Sequence, residues 1–240
     1  MPSPTKFSAI AFAVAGAGIS TFAGMDVVMK GLSLSLGAYN AMLWRSLISV
    51  YLAGLLYLMW RPAWPTADVI RLHLWRGFII SIMAFLFFWG LKYLPVAEAI
   101  GLSFIAPLLA LYLAAVILKE NIGKQAIAAS VIGLVGAAII GSGRLGGNYE
   151  EETGKGIAAI LLSAVLYAYN IILQRQQALL AGPVEIAFFQ NSTIIVLFAS
   201  LSPFFAQVPA IDAVPMLAAA AVLGLVSLMM MSWAYARAPA

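Results

Sequence analysis

The sequence predicts an all-α polytopic membrane bundle, and three observations predict it. Hydrophobic residues make up 64% of the 240 positions and charged residues 9%, against roughly 45–50% and about 25% in a soluble domain. The apolar residues fall in continuous runs of helix-spanning length, about 20 residues each. No run shows the two-residue alternation of a membrane barrel strand. The mean hydropathy of +1.01 agrees. Disulfides, thiolate metal sites and cysteine nucleophiles are excluded by the absence of Cys. A net charge of +4 is carried by single basic residues scattered between apolar runs, so it marks no nucleic-acid surface.

Eight spans are expected, in order Phe7–Met29, Ala38–Trp60, Leu74–Tyr93, Val96–Leu118, Lys124–Gly141, Gly156–Gln174, Val184–Phe205 and Val214–Tyr235. The longest connections, Arg61–His73 and Ser142–Lys155, are too short for a soluble domain. The first span carries only Lys6 ahead of it and continues past Ala15 and Ala17, which argues against a cleaved signal peptide. With the amino terminus in the cytoplasm, Lys6, Arg61, Arg71, Arg76, Lys119, Lys124, Arg175 and Arg237 lie inside. Lys30, Lys92, Arg144 and Lys155 then lie outside, and that bias sets the orientation expected. The acids Glu150, Glu151 and Glu152 form a solvated outer run.

The chain repeats itself at an offset of about 145 positions. Phe22 and Ala23 meet Tyr167 and Ala168, Lys30 meets Arg175, and Trp44–Arg45 meets Phe189–Gln190. One residue shorter, Trp89–Pro95 meets Trp233–Pro239. A unit of five spans is odd, so its second copy is inverted in the bilayer, as in many secondary transporters.

With Arg45 in the second span, Trp89 to Pro95 after the third, and Pro107 thirteen residues ahead of Glu120 in the fourth, the chain resembles the EamA family of the drug/metabolite transporter superfamily. That resemblance implies ten helices in two inverted halves, of which eight are present. Residues 1–144 are then a first five-helix repeat and 145–240 a second repeat holding three helices. It further implies a transporter of small organic metabolites such as amino acids or related compounds, with export the usual direction, in a cell (inner) membrane. Against the family pattern, this chain stops at Ala240, just where Pro239 should open a further helix. A truncated or non-transporting subunit is therefore the alternative.

Arg45 lies about eight positions into its span, roughly 12 Å deep, where a charge costs about 2.5–3.5 kcal/mol and faces a partner or a wet cavity. It is read either as a contact for a substrate carboxylate or as an ion-pair partner of Asp26. Pro107 frees the carbonyl of Ser103, which makes Ser103 and the bend a candidate cavity wall or a packing kink. Asn170, Gln190 and Asn191 are helix–helix glue or cavity lining. Tyr169, Trp89 and Trp233 are aromatic walls or interface anchors. Glu98 is a coupling candidate or a solvated helix start, and Glu120 a rim cap. The first, third, fourth, sixth and eighth spans are expected around a cavity, with the fifth peripheral. Ala129, Gly133, Ala137 and Gly141 in that fifth span give a small-residue stripe suited to packing or to a homodimer. Gly141–Gly146 matches a dinucleotide fingerprint in letters only, without a strand before it.

An intramembrane enzyme is the less favoured class. His73 is the only histidine and reads as a lone structural residue at a membrane rim, with no acid–base or metal cluster around it. No phosphate-binding loop motif occurs, and no cofactor is implied.

Overall fold

A computed structural model describes residues 4–60, 63–119, 123–142 and 151–237. Among these every regular element is helical. The helices are α1 (Pro4–Leu36), α2 (Ala38–Trp60), α3 (Ala67–Gly90), α4 (Val96–Ser103), α5 (Ile105–Leu113), α6 (Lys124–Ser142), α7 (Glu151–Leu180), α8 (Pro183–Ser200), α9 (Ser202–Phe205) and α10 (Val214–Tyr235). Seven membrane spans qualify by length and composition, α4 and α5 together making one of them. The expected fifth span is also helical, as α6, with Lys124–Gly136 as its apolar stretch.

Helix ends follow local chemistry. α1 runs past Met29 to Leu36 and stops at Gly37, whose φ of +79° is a left-handed cap conformation suited to glycine. The connection expected over Arg61–His73 is shorter than that. α3 already starts at Ala67, with the Ile70 amide donating to the Thr66 carbonyl at 2.9 Å and Asp68 in the favourable first turn. His73 therefore belongs to a helix rather than to a loop. The fourth span breaks at Phe104, whose amide turns back to Gly101. That break lies three residues before Pro107, whose ring clashes with the carbonyl of Ser103 and removes its donor. Beyond α5 the chain widens into a π turn over Ala114–Leu118 and ends at Lys119 with φ +56°. The expected Val184–Phe205 span is likewise two helices, broken at Leu201 ahead of Pro203.

Two compact units make up the chain, Met1–Phe78 with Leu173–Ala240 and Ile79–Ile172. In the first, α1 lies along α10 and α2 along α8. Ser227 ties α10 to α1 through the Gly18 carbonyl at 2.8 Å. At the end where α1 passes into α2, the Asn40 side chain accepts the Gln207 amide at 2.8 Å and Trp44 donates to the Gln207 carbonyl at 2.7 Å. In the second unit α4 lies along α6, and α5 meets α7 through Ala106, Ala110, Ala164 and Ala168. Small residues there and at Gly90 and Gly156 let backbones approach closely, the main packing device in lipid. Large apolar side chains such as Phe12 and Tyr51 point outward, 82% and 66% exposed, as expected of a lipid-facing surface.

Glu120, Arg61, Arg144, Glu150, Pro239, Ala240 and most of the Gly141–Gly146 turn lie outside the described residues, as do the side chains of Lys6, Glu151 and Glu152.

Candidate functional site

Arg45 is buried, on the face of α2 turned toward α1 and α10. A Cβ added at Gly224 of α10 would lie 3.3 Å from its Nη1, so the guanidinium takes its present place against a bare stretch of α10 backbone and would have to shift by a few tenths of an ångström for a methyl group there. Nη1 reaches the Met25 sulfur at 3.9 Å, a soft and weak acceptor. Nε finds no protein partner. Asp26, the neighbour of Met25 on α1, is also buried, and its Oδ1 has no hydrogen bond in the protein. The two charges interact electrostatically, yet among the described residues they form no ion pair. An unmade hydrogen bond on a buried charged group costs about 1–3 kcal/mol or more. A purely structural pair would be expected to close; this one stands open.

Gln190, one turn from Ile186 on α8, also leaves its Oε1 buried without a protein partner. Asn191 beside it bonds back to the Ala187 carbonyl at 2.8 Å, within its own helix. Trp233 on α10 receives the Arg237 guanidinium over its ring at 4.0 Å, a cation–π contact. These residues belong to the first unit.

The remaining candidates belong to the second. Trp89 meets Tyr93 edge-on at 5.0 Å. Ser103 donates back to the Ala99 carbonyl at 2.8 Å, so its hydroxyl is satisfied inside α4. Pro107 lies in the first turn of α5, beside Ala106 of the surface that meets α7. Tyr169 and Asn170 lie on α7, the latter buried, and Glu98 lies in the first turn of α4. Gly133 of the α6 stripe faces Phe104, with a Cβ there 3.4 Å from its ring.

His73 requires a correction. It is not alone: it is fully buried. Its Nε2 lies 3.1 Å from Glu185 Oε1, and Gln177 Nε2 lies 2.8 Å from its Nδ1. Arg76 donates to Gln177 Oε1 at 2.6 Å. Phe189 stacks on the imidazole at 4.9 Å, nearly parallel, and itself packs against Tyr57 and Trp64. The partners lie more than 100 positions away in sequence. The sequence offers only the i, i+3 spacing of His73 and Arg76 on one helix face and the place of Gln177 and Glu185 on either side of a short turn, neither of which pairs α3 with α7 or α8.

The sequence profile of the EamA-like transporter family matches residues 7–142. The chain belongs to that family. No curated protein matches it. A solved crystal structure of another protein shares 20% identity with this EamA chain, covering 95% of it and 79% of its own length at a TM-score of 0.69. At that identity the likeness concerns the fold.

Proposed function

We propose that this membrane protein is a secondary exporter of small carboxylate-bearing metabolites, amino acids or related compounds among them, working by alternating access. The observation that carries the reading is the open Arg45–Asp26 pair, a buried guanidinium on α2 and a buried carboxyl group on α1 with unused hydrogen-bonding capacity. A carboxylate matches the guanidinium fork, and an ammonium group on the same solute matches Asp26. The basic-residue bias supports an amino terminus in the cytoplasm, and the family likeness supports a cell (inner) membrane.

Binding can be tested without transport. A ligand that binds the folded chain raises its unfolding temperature by mass action. Amino acids at millimolar concentration should stabilise the purified chain, whereas their amides, lacking the carboxylate, should not. Equal stabilisation by both would remove Arg45 as the carboxylate contact.

A further inference from the structure

At the end of the first unit where α3 and α8 begin and α7 ends, the four side chains Arg76, Gln177, His73 and Glu185 allow one arrangement of protons. Arginine can only donate. Gln177 Oε1, 2.6 Å from Arg76, is therefore the acceptor, and its amide nitrogen faces His73. His73 Nδ1, 2.8 Å from that nitrogen, must accept and carries no proton. The single imidazole proton then sits on Nε2 and is donated to Glu185 Oε1 at 3.1 Å. Every donation runs one way, Arg76 to Gln177 to His73 to Glu185, with a cation at the start and a carboxylate at the finish. Such a chain polarises along its length.

A further proton has two places to go. On His73 Nδ1 it would point at the amide hydrogens of Gln177. Turning that amide to accept it would aim the same hydrogens at Arg76. On Glu185 it would remove the negative charge that ends the chain and weaken the bond it accepts from His73. Either way a bond joining α3 to α7 or α8 is lost or weakened.

We infer that His73 and Glu185 are a proton-binding latch: without the extra proton it ties α3 to both α7 and α8, whereas a proton on His73 breaks the tie to α7 while leaving a charged pair with α8, and a proton on Glu185 weakens the tie to α8. The proton comes from water at that end and returns to water. Other ionisable groups close to the pair are Tyr57 of α2, within electrostatic reach of Glu185, and Arg76 of α3. Tyr235 of α10 comes within electrostatic reach of Arg76, and α7 faces His73 with the uncharged Gln177. Phe189 covers the imidazole and is itself backed by Tyr57, so entry of a proton requires the cover to move. Coupling of this latch to cargo rests on the transporter reading; the latch itself does not.

The test is hydrogen–deuterium exchange of the whole chain in lipid nanodiscs, following the segment 174–190 and corrected for the intrinsic pH dependence of amide exchange. Between about pH 8 and about pH 5, the range in which histidine is poised to switch, protection of this segment should fall roughly tenfold. His73→Gln and Glu185→Gln should each abolish the step. Gln177→Leu, which keeps both titratable groups and frees Nδ1, should move the midpoint to higher pH. Protection independent of pH in the unaltered chain would overturn the latch, as would an undiminished step in either glutamine variant. Should those two variants fail to fold, an unchanged midpoint in Gln177→Leu is the contradicting result. No cargo is needed, so a chain that shows the pH step but no flux would count against the transporter reading alone.

Discussion

Gly224 stands directly against Arg45: a methyl group on it would lie 3.3 Å from Nη1 and 3.7 Å from Met25 Cγ. The contact is with the far end of a long side chain, which can yield by a few tenths of an ångström. Gly224→Ala should therefore cost less than about 1 kcal/mol of stability while displacing the guanidinium. The expected outcome is a several-fold rise in KM for the carboxylate cargo with little change in unfolding temperature, measured side by side on one preparation.

Gly77 offers the opposite case. A Cβ there would lie 2.5 Å from Thr193 Cβ and 2.7 Å from its Cγ2, atoms at the root of a stiff side chain on α8. Gly77→Ala should destabilise the chain by about 1–3 kcal/mol. Thr193→Gly in the same chain removes the obstructing atoms and should recover part of the loss. Unfolding of the two single variants and the double variant completes the cycle.

Two tyrosines of α2 differ in what their hydroxyls do. Tyr39 donates to the Phe198 carbonyl at 2.6 Å, whereas the buried Tyr57 hydroxyl has no hydrogen bond in the protein and its ring stacks on Phe188 at 4.7 Å. Tyr39→Phe should cost about 0.5–1.5 kcal/mol. Tyr57→Phe should be neutral or slightly stabilising, because it removes a polar atom that bonds nothing while keeping the stacked ring. Equal losses would mean that Tyr57 has a partner in the membrane-embedded protein.

Asp26 separates stability from activity. Its carboxylate is buried and leaves Oδ1 unbonded, and removal of an ill-matched buried charge is frequently neutral or stabilising. Asp26→Asn should leave the unfolding temperature unchanged or raised and lower flux of zwitterionic cargo at least tenfold. A large loss of stability would identify Asp26 as a structural partner of Arg45 instead.

The spans were legible in the sequence because apolar runs of membrane length have few alternative fates. Pro107 also announced the bend in the fourth span, since the missing donor acts on its own chain within a turn, whereas the break ahead of Pro203 went unread inside the apolar run Val184–Phe205. Arg45 was conspicuous for being charged at depth, but Gly224, against which it lies, looked like any glycine of an apolar helix. The network at His73 was not legible. Its bonds to Gln177 and Glu185 depend on how α3, α7 and α8 pack, and an isolated histidine beside Arg71 and Arg76 gives no count of the partners tertiary structure will bring.

Movement of a carboxylate-bearing solute past Arg45 defines the transport proposed. It is tested most directly by counterflow of labelled amino acids into sealed vesicles holding the purified chain, beside vesicles holding Arg45→Gln. The account predicts saturable accumulation with the unaltered chain and a loss of about two orders of magnitude in kcat/KM with the variant, the scale of a charge-assisted contact of about 1.5–3 kcal/mol. Saturable accumulation of equal size with both proteins would contradict it.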